Sequence, residues 1–324
     1  MGRGLTPVAR IALAVGAAGA AALAWGSLVE RRRFTLRRVE VPVLPAGSEP
    51  IRVLHISDLH MAPWQRDKQE WIASLADLRP DLVIDTGDNL GHRRGLEGVR
   101  RALQPFRGVP GVFVNGSNDY FGPVVKNPFS YFGGPSGIIR RAERLDIDAL
   151  HAFFDELGWL DLDNAAASLE VNGTHLEFFG VDDPHRGFDR LEVVAAAIDD
   201  LRAGDSFGDD DWPDRGNGAP LRPSVTIGVT HAPYRRVLNS FVNHGAQLLV
   251  AGHTHGGQVC VPGVGALVTN CDIPRRQASG LSVWRHGLRS AFLNVSAGLG
   301  TSITAPVRFA CPPEATLMTL VASR

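Results

Sequence analysis

Seven side chains with oxygen or nitrogen donors stand just beyond apolar runs: Asp58 and His60 in "DLH", Asp88 in "GDN", Asn118 in "GSND", His231 in "THAP", and His253 and His255 in "AGHTHGGQ". No thiolate is among them, so the set suits Mn, Fe or Zn in a reactive centre better than a structural zinc site, which favours cysteine. In an extended segment, residues two apart project to the same side. Asp58 with His60, and His253 with His255, could therefore each aim two ligands at one point. The glycines around the histidine pair let the backbone come close without Cβ clashes. Taken singly, each piece is weak. "DLH" or "GDN" arises by chance, close histidines are often surface or core residues, and "THAP" reads equally as a helix start with proline in its first turn. What joins them is their shared position directly after β-runs.

Those β-runs set the architecture. "IRVLHIS", "DLVIDT" and "GVFVN" are short apolar strands, separated by helical stretches around 65–78 and 96–105. The pattern resumes with "SVTIGVT", a helix around 234–243, "QLLVA", "AFLNV" and "EATLMTLVA". Strand, polar loop, helix, strand is the pattern of βαβ units and a largely parallel sheet. In such sheets functional groups collect beyond the carboxyl ends of the strands. Between the two runs, "SLEVNGTHLEFFGV" predicts a hairpin turning at Asn172-Gly173, and residues 191–201 a helix. The Gly-, Pro- and Asp-rich stretch 203–223 predicts a mobile, solvated loop, without the fixed Gly and terminal Glu of a calcium loop.

The chain has 324 residues, 44% hydrophobic and 21% charged, which excludes disordered and fibrous classes. A formal net charge of −1 gives no global footing for nucleic-acid binding, and none is expected. The three cysteines, Cys260, Cys271 and Cys311, lack metal-type spacing and read as small buried apolar residues. Residues 11–29 carry no charge and are long enough to cross a bilayer as a helix. We therefore expect an N-terminal membrane anchor with an arginine-rich flank over 1–38 and one catalytic domain over 39–324. A cleaved signal peptide is the competing reading, a buried core helix a third. Arg31, Arg32, Arg33, Arg37 and Arg38 follow the apolar run, against Arg3 and Arg10 before it. The positive-inside rule then places the domain on the cytoplasmic side, with an extracytoplasmic facing left open.

Asp58-Leu59-His60, Gly87-Asp88-Asn89, Gly116-Ser117-Asn118-Asp119, His231 and Gly252-His253-Thr254-His255 resemble the successive motifs of the calcineurin-like metallophosphoesterases. The resemblance runs from Ile51 to the C-terminus. "GVDDPH", "GHTHGGQ" and "CPPEATLMTL" resemble in particular the membrane-associated bacterial branch of YkuE/YaeI type. It implies a four-layer α/β/β/α sandwich, after the one N-terminal apolar helix, with two divalent metal ions (Mn, Fe or Zn) at one edge. Carried over, Asp58, His60 and His255 would bind one ion, Asn118, His231 and His253 the other, and Asp88 would bridge them. A hydroxide between the ions would attack the phosphorus of a phosphoester. The expected substrates are phosphodiesters or pyrophosphate links of lipid or envelope-related molecules.

One motif departs from the family, where the loop usually reads Gly-Asn-His-Asp or Gly-Asn-His-Glu. Here Ser117 or Asn118 could take the ligand place, and we expect Asn118, because serine is a poor neutral ligand. The usual histidine is missing under either alignment. Leaving-group protonation then falls to Asp119 or to water, which would favour acidic leaving groups such as aryl alcohols. The alternative expectation, from another class, is a metal-binding scaffold or receptor whose catalysis the altered loop has ended. Among the other histidines, His55 reads as a core residue, and His185 as a cleft or turn residue.

Overall fold

The computed structural model describes residues 6–124, 142–206, 224–301 and 305–323. Helix α1 (Pro7–Leu28) begins where the Thr6 hydroxyl caps the amide of Ala9 and proline occupies the first turn. Its apolar side chains face outward: Val8, Ile11, Leu13, Val15 and Leu23 are all more than half exposed. That is the opposite of a core helix, and the segment is long and apolar enough to cross a membrane.

From there the chain lays down β1 (Thr35–Leu44) and β2 (Ile51–Ile56). Helix α2 (Arg66–Ser74) leads to β3 (Leu82–Asp85), and α3 (Leu96–Leu103) leads to β4 (Gly111–Phe113). The short α4 (Ser117–Tyr120) and then α5 (Ile147–Leu157) precede β5 (Trp159–Asp161). A hairpin of β6 (Ala165–Val171) and β7 (Thr174–Val181) follows. Helix α6 (Leu191–Ser206) precedes β8 (Ser224–Thr230), and α7 (Arg235–Asn243) leads to β9 (Leu248–Ala251). The small pair β10 (Cys260–Val261) and β11 (Gly265–Ala266), the hairpin β12 (Gly280–His286) and β13 (Arg289–Val295), and β14 (Glu314–Ala322) complete the chain.

Two six-stranded sheets result, in the orders β1-β14-β2-β3-β4-β5 and β12-β13-β9-β8-β7-β6. Strands β2 to β5 are parallel to one another, as are β7, β8, β9 and β13. Alternation along β2 shows how the layers stack. Ile51 and Val53 join Ile84, Phe178, Ile227 and Val250 in a core between the sheets, while Leu54 and Ile56 face Ile72, Val99 and Phe153 from the helices outside. On the other flank Val194, Ile198, Val237 and Phe241 of α6 and α7 cover Phe179, Leu249 and Leu293. Three apolar cores separate four layers, so the expected α/β/β/α sandwich stands. Each fully buried Leu, Ile or Phe contributes roughly 1.5–3 kcal/mol, so the layers hold the strand ends firmly.

Two boundaries move. Strand β1 starts at Thr35, inside the expected arginine-rich flank, and pairs in parallel with β14. Arg37 binds the buried Glu314 carboxylate at 2.7 Å, so it is part of the sheet's edge. The expected loop at 203–223 is helical as far as Ser206, because α6 continues past the anticipated end at 201. The remainder, 207–223, lies outside the described residues. The hairpin turn at Asn172 and Gly173 is as expected, with φ of 49° and 74°.

Candidate metal centre

The seven expected ligands leave the carboxyl ends of five strands drawn from both sheets. Asp58 and His60 follow β2, Asp88 follows β3, and Asn118 sits in α4 after β4. His231 follows β8, and His253 and His255 follow β9. Because these strands run parallel within each sheet and the sheets stack, the five ends meet at one edge. Five of the seven hold left-handed backbone: Asp58 (φ 50°), His60 (39°), Asp88 (58°), His253 (68°) and His255 (50°). For a residue with a Cβ this costs about 1–2 kcal/mol each and persists only where neighbours enforce it. Here Asp58 N donates to Gly87 O at 2.8 Å, His60 N to Asp88 O at 2.9 Å, and His253 N to Asp58 Oδ2 at 2.9 Å. The loops also approach too closely for side chains. A methyl group at Gly252 would overlap Ser57 Oγ and meet Asp58 Oδ2 at 2.6 Å. One at Gly116 would meet His231 Cε1 at 2.8 Å.

Two groups of donors form around Asp88. On one side His60 Nε2 and His255 Nε2 face each other at 3.2 Å, with Asp58 Oδ1 3.6 Å from His255 and Asp88 Oδ2 3.5 Å from His60. On the other, His231 Nε2 and His253 Nδ1 lie 3.2 Å apart, and Asp88 Oδ1 is 3.6 Å from His231. The ring nitrogens behind the second pair have partners. His231 Nδ1 donates to Thr86 O at 2.7 Å, and His253 Nε2 to Asn270 O at 3.1 Å. Each bond fixes the tautomer in which the opposite nitrogen, once free of any second proton, turns its lone pair toward the partner histidine, as a metal ligand requires. Asp58 Oδ1 is buried without a hydrogen-bond partner among the described residues. Facing lone pairs and an orphaned carboxylate oxygen fit a cation on each side of Asp88, and an all-O/N donor set fits Mn, Fe or Zn.

The electrostatics show the same demand. Burial alone would raise Asp88, but His231, His60 and the Asn118 amide outweigh it and hold the carboxyl well below the usual range. Burial opposes a charge on His231, yet Asp88, Asp58 and Asp183 push it up to about 9. His60 is lowered to about 4 by burial, and His253 and His255 fall well below their ordinary value for the same reason. Burial lifts Asp58 to about 6. In the metal-free protein a proton on His231 therefore supplies positive charge that the carboxylates call for.

The altered loop resolves into distinct contacts. Asn118 donates from its backbone N to Asp88 Oδ1 at 2.7 Å and from Nδ2 to Asp88 Oδ2 at 2.6 Å, so its side chain lies at the centre. Ser117 Oγ instead donates to Asp183. Asp119, the expected acid, lies against the Asp88 loop, where burial and the Asp88 carboxylate push it up to about 8. It is fully buried, and its two oxygens accept from the amides of Gly116, Asp88, Asn89 and Leu90. It clamps the two loops together, and both oxygens are committed to that. His55 is a core histidine, held between Thr86 Oγ1 and Asn294 Nδ2 at 2.9 Å each. His185 reaches the rim, its ring 4.6 Å from that of His253. Cys260, Cys271 and Cys311 are free thiols. The residues that the motifs did not reveal are Asp183, Asn270 and Arg308, whose guanidinium lies 3.3 Å from His255 Nδ1.

A sequence model of the calcineurin-like phosphoesterase family matches residues 51–257. YpbG of Bacillus subtilis (strain 168) is 25% identical over 92% of this chain and 90% of its own length. The metallophosphoesterase YkuE of the same organism is 22% identical over 88% of this chain and 84% of its own. A Bos taurus transmembrane protein with a metallophosphoesterase domain is 24% identical over 72% of this chain and 47% of its own length.

Proposed function

Because the chain belongs to the calcineurin-like phosphoesterase family, we propose that its metal-dependent phosphoesterase chemistry acts on phosphodiesters or pyrophosphate links of lipid or envelope-related molecules, at a membrane. The observation that carries the reading is Asp88, whose two oxygens each turn to a different histidine pair. Asp58, His60 and His255 would hold one divalent ion, Asn118, His231 and His253 the second, with Asp88 shared. When bound, such a pair supplies Lewis-acid polarisation of the phosphoryl oxygens and activation of an attacking water. The chain's own part is to fix seven donors, five of them in strained backbone, and to keep Asp88 ionised. Asn118 restrains both Asp88 oxygens, and Asp119 fixes the loop that carries Asn118.

Neither Asp119 nor a loop histidine offers a proton to the departing alcohol, so protonation falls to water. Esters of acidic alcohols are then favoured, aryl over alkyl. Helix α1, apolar and exposed except at its foot, is read as a single membrane pass, with Arg31, Arg32 and Arg33 following it on the cytoplasmic face. The altered Gly116–Asp119 loop supports one second reading, a metal-binding scaffold without turnover.

The test uses the full-length chain in detergent, stripped of metal and reloaded with Mn²⁺, with bis-aryl, mono-aryl and alkyl phosphates. The expected result is metal-dependent diesterase activity that Asp88→Asn and His253→Ala both abolish. Stoichiometric metal binding with no turnover of any ester would replace the enzyme with the scaffold. Equal rates on aryl and alkyl diesters would overturn the water-protonation reading while leaving the hydrolase intact.

A further inference from the structure

Among the described residues, Arg308 is the largest side chain that is completely buried. A guanidinium removed from water costs several kcal/mol unless its donors are satisfied. This one is surrounded by backbone carbonyls. Nη2 donates to Ala297 O at 2.7 Å, Gly298 O at 3.0 Å and Gly300 O at 2.7 Å, and Nη1 to Cys311 O at 3.3 Å and His255 O at 3.4 Å. The carbonyls come from the loop after β9, the loop after β13 and the turn before β14. Nη2 also abuts His255 Nδ1, on the far side of the ring from the Nε2 that faces His60 and Asp58. Arg308 thus holds the His255 backbone through its carbonyl; the ring contact adds no hydrogen bond, because a His255 that ligates through Nε2 carries its proton on Nδ1 and a guanidinium cannot accept it.

The turn that carries Arg308 rests on the foot of α1. Arg308 N donates to Gly26 O at 3.2 Å. A Cβ on Gly26 would meet Arg308 O at 2.5 Å and Val307 Cγ1 at 3.1 Å. Glu30, buried just beyond the helix, accepts from Cys311 N at 2.7 Å with one oxygen and from Trp25 Nε1 at 2.9 Å with the other. Higher in the same helix, a Cβ on Gly16 or Gly19 would meet nothing within 4 Å. The packed glycine is the one at the turn.

We propose that the foot of α1 is a working part of the metal centre: Gly26 and Glu30 seat the 307–311 turn, and Arg308 in that turn positions His255 for the ion it shares with Asp58 and His60. The inference rests on the two-ion reading above. It makes α1 more than a tether, because a shift of the helix foot reaches the His255 side directly, and the other side only through Asp88 and the His253 amide on Asp58. The His231 and His253 side hangs on Thr86 and Asn270, which have no part in this chain of contacts.

The experiment titrates full-length, metal-stripped protein in detergent with Mn²⁺. Bound ions are counted by equilibrium dialysis, and electron paramagnetic resonance separates a coupled pair from a single ion. Wild-type protein should take two ions with a coupled spectrum. Gly26→Val, Glu30→Ala and Arg308→Ala should weaken one ion by roughly 10–100-fold and give the single-ion spectrum, with the other ion unchanged. Arg308→Lys should fall between, since one ammonium cannot reach all the carbonyls that the planar fork does. Gly19→Val should match wild type. Gly26→Val and Arg308→Lys that keep both ions at wild-type affinity would overturn the inference. So would loss of both ions together with loss of helical circular dichroism, which would mark a general structural role. Wild-type protein that binds no pair would overturn the two-ion reading itself, a result separable from the others.

Discussion

On one side of Asp88, His231 and His253 each give a ring N–H to a backbone carbonyl, and the neighbouring carboxylates hold a proton on His231 up to about pH 9. On the other side, His60 and His255 are already neutral, and His255 is backed by a guanidinium. The residue types are nearly the same and the distances match, at 3.2 Å between each histidine pair. The difference lies behind the ligands. One side is prepared by hydrogen bonds that select the tautomer, and a metal ion must displace a proton to enter it. The other is prepared by architecture, through loops that Arg308 ties together. Two ions of one centre should therefore respond to different perturbations.

The hardest test of that contrast is the group both sides share. Asp88→Asn removes the ionised bridge, and activity should fall by roughly 10³-fold or more, with both ions weakened. Against it, His253→Ala and His255→Ala should each remove one ion and leave the other, measured by metal content after dialysis. If either single variant strips both ions, the sides are not separable and the comparison fails.

Acidity gives the next largest effect. Below pH about 9 an ion on the His231 side competes with the proton there. Affinity on that side should rise nearly tenfold per pH unit below the turnover, roughly 50-fold from pH 7 to 9, and then level off. On the other side Asp58 at about 6 and His60 at about 4 are the competing groups, so affinity should be nearly flat above about pH 7. Mn²⁺ titrations at pH 6.5, 7.5 and 8.5 should resolve one steep and one flat site. Equal slopes would break the distinction.

How much of this was legible in the sequence follows from the same contrast. The seven candidate ligands stand out because each follows an apolar strand, and a strand's end is written locally in its pattern. Asn118 could be preferred over Ser117 on chemistry alone, and its amide does lie against Asp88. What could not be read was the supporting shell. Arg308 sits in "PVRFACPP", where nothing in the spacing announces a buried guanidinium, since its partners are backbone carbonyls of any residue type. Asn270 acts through its carbonyl, for which a side-chain identity carries no signal. An acid near a site invites a chemical role, while the contacts that fix Asp119 are not local. Its four amide partners exist only once two distant loops have met. Strand β1 was hidden for another reason: "TLRRVEVPVL" at an edge lacks the continuous apolar run of a central parallel strand.

His55 sharpens the comparison with the smallest effect, because it shows a buried imidazole held by neutral partners. Asn294 Nδ2, from the other sheet, donates to its Nδ1 and so joins the two sheets, while its Nε2 carries the proton and donates to Thr86 Oγ1 just beyond β3. Burial lowers it to about 3 from 6.5. Because the folded value is depressed, the unfolded chain binds the extra proton between pH 6.5 and 3, and stability falls as pH drops through that window. The contribution is complete above pH 6.5, and about 1.4 kcal/mol should be lost at pH 5.5. His55→Gln should lower stability at neutral pH, by leaving Asn294 or Thr86 poorly paired, but flatten this acid limb. Urea denaturation of the metal-free protein at pH 7.5 and 5.5 would read both. An acid limb of unchanged steepness in the variant would assign it elsewhere, to the carboxylates around His231. That would make the metal-free centre, and not the interface between the sheets, the acid-sensitive part of the fold.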